Sequence, residues 1–290
     1  MSKLRAIWEL MRLEHGFMLI IAVLIGAAIS NQEFTRYGYD LLFAFLTALL
    51  LEASTFSLND YVDLEVDKKN RRVDRPLVRG DLKPKTALLL FFLLFPAGIL
   101  FSLLVNMRCF YIAILTGALA VLYDLKLKKV KFVGNFYIAY TTAIPFIFGS
   151  VAVSEHIPSA VTVLSVIAFI ASFGREVMKD IMDIEGDRAE GVKSIPMYLG
   201  EKKTSVVIAL VYLLSVALSF VPFVSLRETS FYHNLFYLIP VLLTDSIFVY
   251  LSVGIMITEN PPLKRYRNLS LFAMMIGLLA FLLGSLTGGR

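Results

Sequence analysis

Asn59-Asp60-Tyr61-Val62-Asp63-Leu64-Glu65-Val66-Asp67-Lys68-Lys69-Asn70-Arg71-Arg72-Val73-Asp74-Arg75-Pro76-Leu77-Val78-Arg79-Gly80 is the stretch on which the reading of this chain turns. It follows an apolar run, Leu41 to Leu58, long enough to cross a bilayer, so charge begins where lipid would end. If the helix carries on for two more turns, Asn59, Asp63 and Asp67 share one face at i, i+4 and i+8. Asp60 then lies about 100° round the helix. Like charges at this spacing destabilise a bare helix, and a bound cation is a reason to keep them. Lys68, Lys69, Arg71, Arg72, Arg75 and Arg79 follow at once. Carboxylates for a metal beside cations for an anion suit a metal–phosphate.

The rest of the chain says what surrounds this stretch. Of its 290 residues 58% are hydrophobic and 18% charged, with mean hydropathy +0.74, which is more apolar sequence than a soluble core can hide. Apolar runs of helical length recur, and the alternating ten-residue segments of an outer-membrane barrel do not. The fold class is therefore all-α, a polytopic membrane protein. Nine spans are predicted at roughly 13–31, 39–58, 86–105, 109–124, 135–153, 159–176, 204–224, 234–257 and 268–287. The basic start and Gly26-Ala27-Ala28 of the first run also allow a cleaved signal peptide. The alternation of charge along the chain instead makes that run the first member of a bundle.

With the N-terminus cytoplasmic, 24 of the 28 Lys and Arg fall on inner segments. Only Arg36, Arg108, Arg227 and Arg290 fall outside, so the positive-inside rule orients the chain and puts the acidic stretch in the cytoplasm. The net charge of +5 belongs to that face and suits anionic lipid headgroups or phosphorylated substrates. No compact basic domain points to nucleic acid. No segment points to an obligate protein partner. Cys109 is the sole cysteine, which rules out an intrachain disulfide and a cysteine-based metal site.

A second acidic stretch follows the sixth span, Arg175-Glu176-Val177-Met178-Lys179-Asp180-Ile181-Met182-Asp183-Ile184-Glu185-Gly186-Asp187-Arg188. Asp63-Leu-Glu-Val-Asp67 and Asp183-Ile-Glu-Gly-Asp187 share the form Asp-aliphatic-Glu-x-Asp, 120 residues apart, each at the inner end of an even-numbered span. The simplest account is one transmembrane domain over 1–290. It comprises a four-helix repeat over about 1–134, a second over about 135–257 and a ninth helix near 268–287, around a central cavity open to the cytoplasm. Facing carboxylate clusters repel unless divalent cations bridge them. Mg²⁺ fits best, since it takes one or two carboxylates and completes its shell with water and phosphate oxygens. Zinc is disfavoured, because neither motif holds His or Cys, and His15, His156 and His233 are scattered.

The third inner connection carries Tyr123, Lys126 and Lys128, which could grip a leaving diphosphate; lysines after a span are also ordinary topogenic charge. Glu52 and Asp245 lie inside predicted spans, where carboxylates face a bundle interior or a wet cavity. Glu52 could orient an acceptor hydroxyl or serve a buried structural bond. The 23 Phe and 13 Tyr could line a prenyl tunnel and shield a carbocation with their π faces, though most should simply face lipid.

These residues resemble the UbiA-type intramembrane prenyltransferases. The family signature Asn-Asp-x-x-Asp-x-x-x-Asp is matched by Asn59, Asp60, Asp63 and Asp67, and its Arg-Pro-Leu continuation by Arg75-Pro76-Leu77. Its second acidic motif is matched by Asp183 and Asp187, followed by Gly191-Val192-Lys193-Ser194. Arg12-Leu13-Glu14-His15 stands where the family commonly has Arg-Pro in its first helix. Within the family, the run at 175–187, the segment at 127–135 and the tail from Asn260-Pro261 look most like archaeal digeranylgeranylglyceryl phosphate synthases. The resemblance implies Mg²⁺-dependent transfer of a geranylgeranyl group from its diphosphate to a lipophilic acceptor, geranylgeranylglyceryl phosphate, in ether-lipid synthesis.

In that scheme one Mg²⁺ sits at Asn59 and Asp63 and another at Asp183 and Asp187, with Asp60, Asp67 and Asp180 as further ligands or behind them. Arg72, Arg75, Lys126, Lys128, Lys179 and Tyr123 bind the diphosphate; Asp63, Asp183, Lys128 and Tyr123 carry the catalysis. One rival keeps the family and changes the acceptor to an aromatic quinone precursor or haem. Another makes the chain a divalent-cation or phosphate transporter, which calls for acidic residues near the midplane and broken helices. Here the motifs sit at one face, and spans two and six have no Gly or Pro near their centres.

Overall fold

The structure, a computed structural model, describes residues 3–189, 191–227 and 229–287. Arg290, counted above among the outer charges, lies outside the described residues. Nine helices among the described residues are long and apolar enough to cross a membrane. They are α2 (Leu13–Ser30), α3 (Gly38–Val62), α6 (Pro84–Val105), α7 (Met107–Leu125), α8 (Lys131–Val153), α9 (Ser159–Met182), α12 (Glu201–Ser219, extended by α13, Val221–Val224), α14 (Leu235–Ile257) and α15 (Leu263–Thr287). Short helices lie outside the spans: α1 (Lys3–Met11), α4 (Leu64–Lys69), α5 (Pro76–Arg79), α10 (Ile184–Ala189) and α11 (Ile195–Leu199). The chain is a polytopic, all-helical membrane protein with the predicted spans, and where these differ the reasons are local. The seventh span breaks at Phe220, because Pro222 has no N–H to offer the carbonyl of Leu218.

Why these segments form spans follows from their length and from which faces they bury. The 25 residues of α3 run about 37 Å at 1.5 Å each, longer than a hydrocarbon core of about 30 Å, so its last turn, Asn59–Val62, emerges into the polar layer. Large apolar side chains remain exposed along α6, among them Leu89, Phe92, Leu93 and Leu100, as a lipid-facing surface requires. The inner surfaces are lined by small residues that let backbones approach. The crossing of α2 and α8 is the closest instance. A Cβ on Gly26 would overlap the carbonyl of Phe146, and one on Gly149 would overlap the carbonyl of Val23. Ser30 Oγ meets Ser150 Oγ at 2.6 Å beside it. Around this crossing α3, α6 and α7 pack on one side, and α9, α12, α14 and α15 on the other.

The two acidic motifs occupy equivalent bends. The predicted helical continuation through Asp67 is interrupted: α3 ends at Val62, and α4 restarts at Leu64 after a turn at Asp63. The turn keeps the i→i+4 bonding, with Asp63 N to Asn59 O at 2.9 Å and Asp67 N to Asp63 O at 2.8 Å, so the motif still shares one side. The same bend occurs at Asp183 between α9 and α10, where Asp187 N donates to Asp183 O at 2.9 Å. Beyond the bends the path recurs 120 residues on. Arg71 and Gly191 both take positive φ (52° and 68°), Pro76 and Pro196 open or nearly open α5 and α11, and Gly80 and Gly200 follow at φ 78° and 76°. Arg71 meets with a side chain the left-handed backbone that Gly191 meets without one.

Candidate active site

The end of α3 presents Asn59 and Asp60 in different directions. Asn59 Nδ2 donates to Asp63 Oδ2 at 3.1 Å and to Asp124 Oδ1, at the end of α7, at 3.0 Å. Asp60 is only 2% exposed and takes two guanidiniums on one oxygen, Arg12 Nη2 and Arg75 Nη1, each at 2.7 Å. Its other oxygen, Oδ2, is buried without a hydrogen-bond partner. Arg12 itself bridges α1 and α2 in a left-handed conformation, with its guanidinium 4.2 Å from the Phe56 ring centre. Asp67 lies 3.9 Å from Arg75 Nε, and burial, with the Asp63 charge next, pushes its carboxyl above the usual carboxylate range.

The second motif is held by the start of α8. Asn135 Nδ2 donates to Asp180 Oδ2 at 2.6 Å, and Lys131 Nζ lies 3.3 Å from Asp187 Oδ1 and 3.9 Å from Asp180 Oδ1. Asp187 Oδ2 is buried and unpartnered. Asp183 makes no side-chain hydrogen bond or ion pair with any described residue.

One short connection serves both motifs. Lys128, in the 3₁₀ turn Leu127–Lys129, donates to Asp63 Oδ1, and Lys131 three residues later sits on Asp187. A parallel bridge between Val130 and Lys193 ties this connection to the segment that follows the second motif. Tyr123, stacked on Tyr137 with ring centres 4.4 Å apart, immediately precedes Asp124, the partner of Asn59. Two acidic ends 120 residues apart in sequence thus meet two lysines of one short connection.

A model of the UbiA prenyltransferase family matches residues 19–273. The chain belongs to the UbiA prenyltransferase family. This prenyltransferase is 43% identical, over 97% of its length and 96% of the relative's, to the digeranylgeranylglyceryl phosphate synthase of Archaeoglobus fulgidus. A solved structure concerned with digeranylgeranylglyceryl phosphate synthase in membranes superposes with a TM-score of 0.84 at 31% identity, covering 99% of each chain. A UbiA homolog from Archaeoglobus fulgidus bound to DMAPP and Mg²⁺ shares the fold, with TM-score 0.62 at 15% identity over 97% of this chain and 99% of that one.

The remaining predicted binding residues of this prenyltransferase are distributed unevenly. Arg72 forms a bidentate pair with Asp74, both bonds 2.9 Å, at the exposed rim. Arg75 is committed to Asp60. Lys126 is exposed and makes no side-chain hydrogen bond or ion pair with a described residue, and Lys179 lies 4.0 Å from Glu176. Asp124, Lys131 and Asn135 went unnoticed in the sequence as members of the site. A carboxylate at a span end and an amide opening the next were the available signals, but neither repeats with the acidic motifs.

The Asp60 pair makes a stability test. Asp60→Ala takes from Arg12 and Arg75, both mostly buried at 21% and 17% side-chain exposure, the one oxygen to which both donate. Breaking such a pair is expected to destabilise by about 3 kcal/mol. The measurement is the thermal midpoint of the purified protein, and an unchanged midpoint would show that water replaces the carboxylate.

Proposed function

We propose that this chain transfers a geranylgeranyl group from its diphosphate to the free hydroxyl of geranylgeranylglyceryl phosphate, forming an ether lipid. The observation that carries the reading is the shared cation pair, Lys128 on Asp63 and Lys131 on Asp187, with Tyr123 near the end of the helix that leads into their connection. Such a group suits a diphosphate spanning both ends. The identity with the Archaeoglobus fulgidus synthase supports the choice of donor and acceptor.

Mg²⁺ fits the donor set. All candidate ligands are oxygens: Asn59 and Asp63 at one end, Asp183 and Asp187 at the other, with Asp67 and Asp180 behind. Among the described residues no three carboxylates form a ready-made metal cage, and Mg²⁺ is commonly held by one or two carboxylates with water and substrate phosphate. The unpartnered Asp187 Oδ2 and the Asp183 carboxylate, which has no partner among the described residues, leave acceptor oxygens for such an ion. Bound there, Mg²⁺ would neutralise the diphosphate and favour its departure.

The chain's own residues do the rest. Lys128, Lys131 and the Tyr123 hydroxyl face the oxygens on which charge grows as the allylic C–O bond ionises. Stabilising such developing charge is usually the largest catalytic contribution. Lys126 and Lys179 add positive charge at the rim. Arg72 would have to exchange Asp74 for substrate to join them. Arg75 acts through Asp60, which it holds together with Arg12. The faces of Tyr123 and Tyr137 can shield the allylic cation while the prenyl chain lies between apolar helices away from water. The acceptor oxygen then bonds to the allylic carbon, and its proton is released.

The charged face of the molecule is cytoplasmic in this reading, as 24 of 28 Lys and Arg require. The domain comprises two repeats and a ninth helix around a common cavity, supported by the bends and positive-φ positions recurring at 120 residues. The test is an acceptor panel with labelled geranylgeranyl diphosphate. Geranylgeranylglyceryl phosphate should be prenylated faster than any aromatic acceptor or haem, and preference for an aromatic ring would replace the acceptor assigned here. Chelation by EDTA should abolish turnover and added Mg²⁺ should restore it. Turnover that persists after exhaustive chelation would remove the metal from the scheme.

A further inference from the structure

Two turns before Asp183, α9 carries a cluster of which the scheme above uses only Lys179. Glu176 is buried, and three cations surround it at long ion-pair distances: Arg175 Nη1 at 3.6 Å, Arg267 Nη2 of α15 at 3.9 Å and Lys179 Nζ at 4.0 Å. None of these is a hydrogen bond, for the donors stand too far off. Neither arginine makes any other side-chain bond, and the Nε of each is buried without a partner. Three positive charges against one carboxylate leave an excess of two, with unfilled guanidinium donors on the mostly buried Arg175 and Arg267, at 20% and 29% side-chain exposure, and Lys179 at the rim.

Its position relative to the reacting groups is defined. Glu176 lies one helical turn before Asp180 on α9, so the cluster borders the candidate active site. From Arg175 to Asp183 is eight residues of α9, about 12 Å at 1.5 Å per residue. That separation accommodates a diphosphate at Asp183, the allylic carbon and the two glycerol carbons that divide a hydroxyl from a neighbouring phosphate.

We propose that Arg175 and Arg267, with Lys179 at the edge, form the anion subsite that receives the phosphate monoester of the acceptor. This rests on the proposed acceptor and gives the ninth helix a specific task, since Arg267 comes from α15. Planar guanidiniums suit a phosphate bidentately, which a lysine point charge does not. Glu176 spaces the arginines and holds them extended. It also repels the incoming phosphate and so weakens binding.

The experiment compares wild type, Arg267→Gln, Arg267→Lys and Glu176→Gln in neutral detergent free of phospholipid, with geranylgeranylglyceryl phosphate and phosphate-free geranylgeranylglycerol as acceptors. Arg267→Gln should raise KM for the phosphorylated acceptor about 20-fold while leaving KM for geranylgeranyl diphosphate and turnover of the neutral acceptor within about twofold. Arg267→Lys should fall between, and Glu176→Gln should lower the acceptor KM. If Arg267→Gln does not fold, the opposite shifts of the other two variants decide the matter. An unchanged acceptor KM, or equal loss with both acceptors, overturns the subsite while leaving the acceptor assignment standing. Wild type that prenylates neither glycerol acceptor overturns both. A bilayer headgroup offers the same phosphate chemistry, so the comparison is repeated in anionic phospholipid nanodiscs. An effect confined to the nanodiscs marks a lipid site and overturns the acceptor subsite.

Discussion

Asp63→Ala and Asp183→Ala are each expected to lower kcat/KM for geranylgeranyl diphosphate about a thousandfold, the loss of roughly 4 kcal/mol of metal-assisted charge stabilisation. The folded state should survive both. Asp63 keeps 27% of its side chain exposed, and Asp183 has no described partner to lose. Asp63→Ala frees Lys128, but that amine lies near solvent at 20% exposure and rehydrates. Because the two ends are proposed to hold one diphosphate, the double variant should be scarcely worse than either single one, as for residues acting as a unit. Steady-state kinetics with labelled diphosphate, alongside thermal midpoints, give the answer. Losses that multiply in the double variant would mean two independent sites, and full turnover in either single variant would exclude that motif from the chemistry.

The second large effect concerns assembly. Gly149→Ala or Gly26→Ala places a methyl group on a backbone carbonyl of the facing helix, Val23 or Phe146. A flexible side chain could move aside, but these obstacles are main chain within hydrogen-bonded helices. The helices must separate, which loosens the buried cluster of Ala22, Ile25, Phe146, Val161 and Leu164 packed around the crossing. Overpacking of this kind costs about 3 kcal/mol or more where nothing can yield. Gly38→Ala is the control, since φ there is −57° and nothing lies within 4 Å of its added Cβ. Gly149→Ala is expected to show a markedly lower thermal midpoint and a larger aggregated fraction on size exclusion. Equal midpoints for Gly149→Ala and Gly38→Ala would show that α2 and α8 can part freely.

What was legible in the sequence was whatever depends on neighbours along the chain. Runs such as Pro84–Val105 declare a span through length and hydropathy alone. The acidic motifs declared themselves by repeating the same spacing at Asp63/Asp67 and Asp183/Asp187. The partners were not legible. Arg12 reaches Asp60 across 48 residues, Asn59 reaches Asp124 across 65, and Asn135 reaches Asp180 across 45. No local pattern fixes such pairs, because helix packing chooses them. Local chemistry also misdirected one expectation. Arg72 looked free for a phosphate, yet Asp74, two residues on, satisfies it in a bidentate pair. The straight helix expected through Asp67 bends at Asp63 instead, which separates Asp60, tied to two arginines, from the carboxylates left to face the lysines.

The most direct measurement is mass spectrometry of the lipid product made by the purified chain from geranylgeranyl diphosphate and geranylgeranylglyceryl phosphate with Mg²⁺. The expected product is the acceptor carrying one added geranylgeranyl group in ether linkage, with its phosphate intact. Unmodified acceptor accompanied by free geranylgeraniol would contradict the account, because the diphosphate would then be ionised and lost to water.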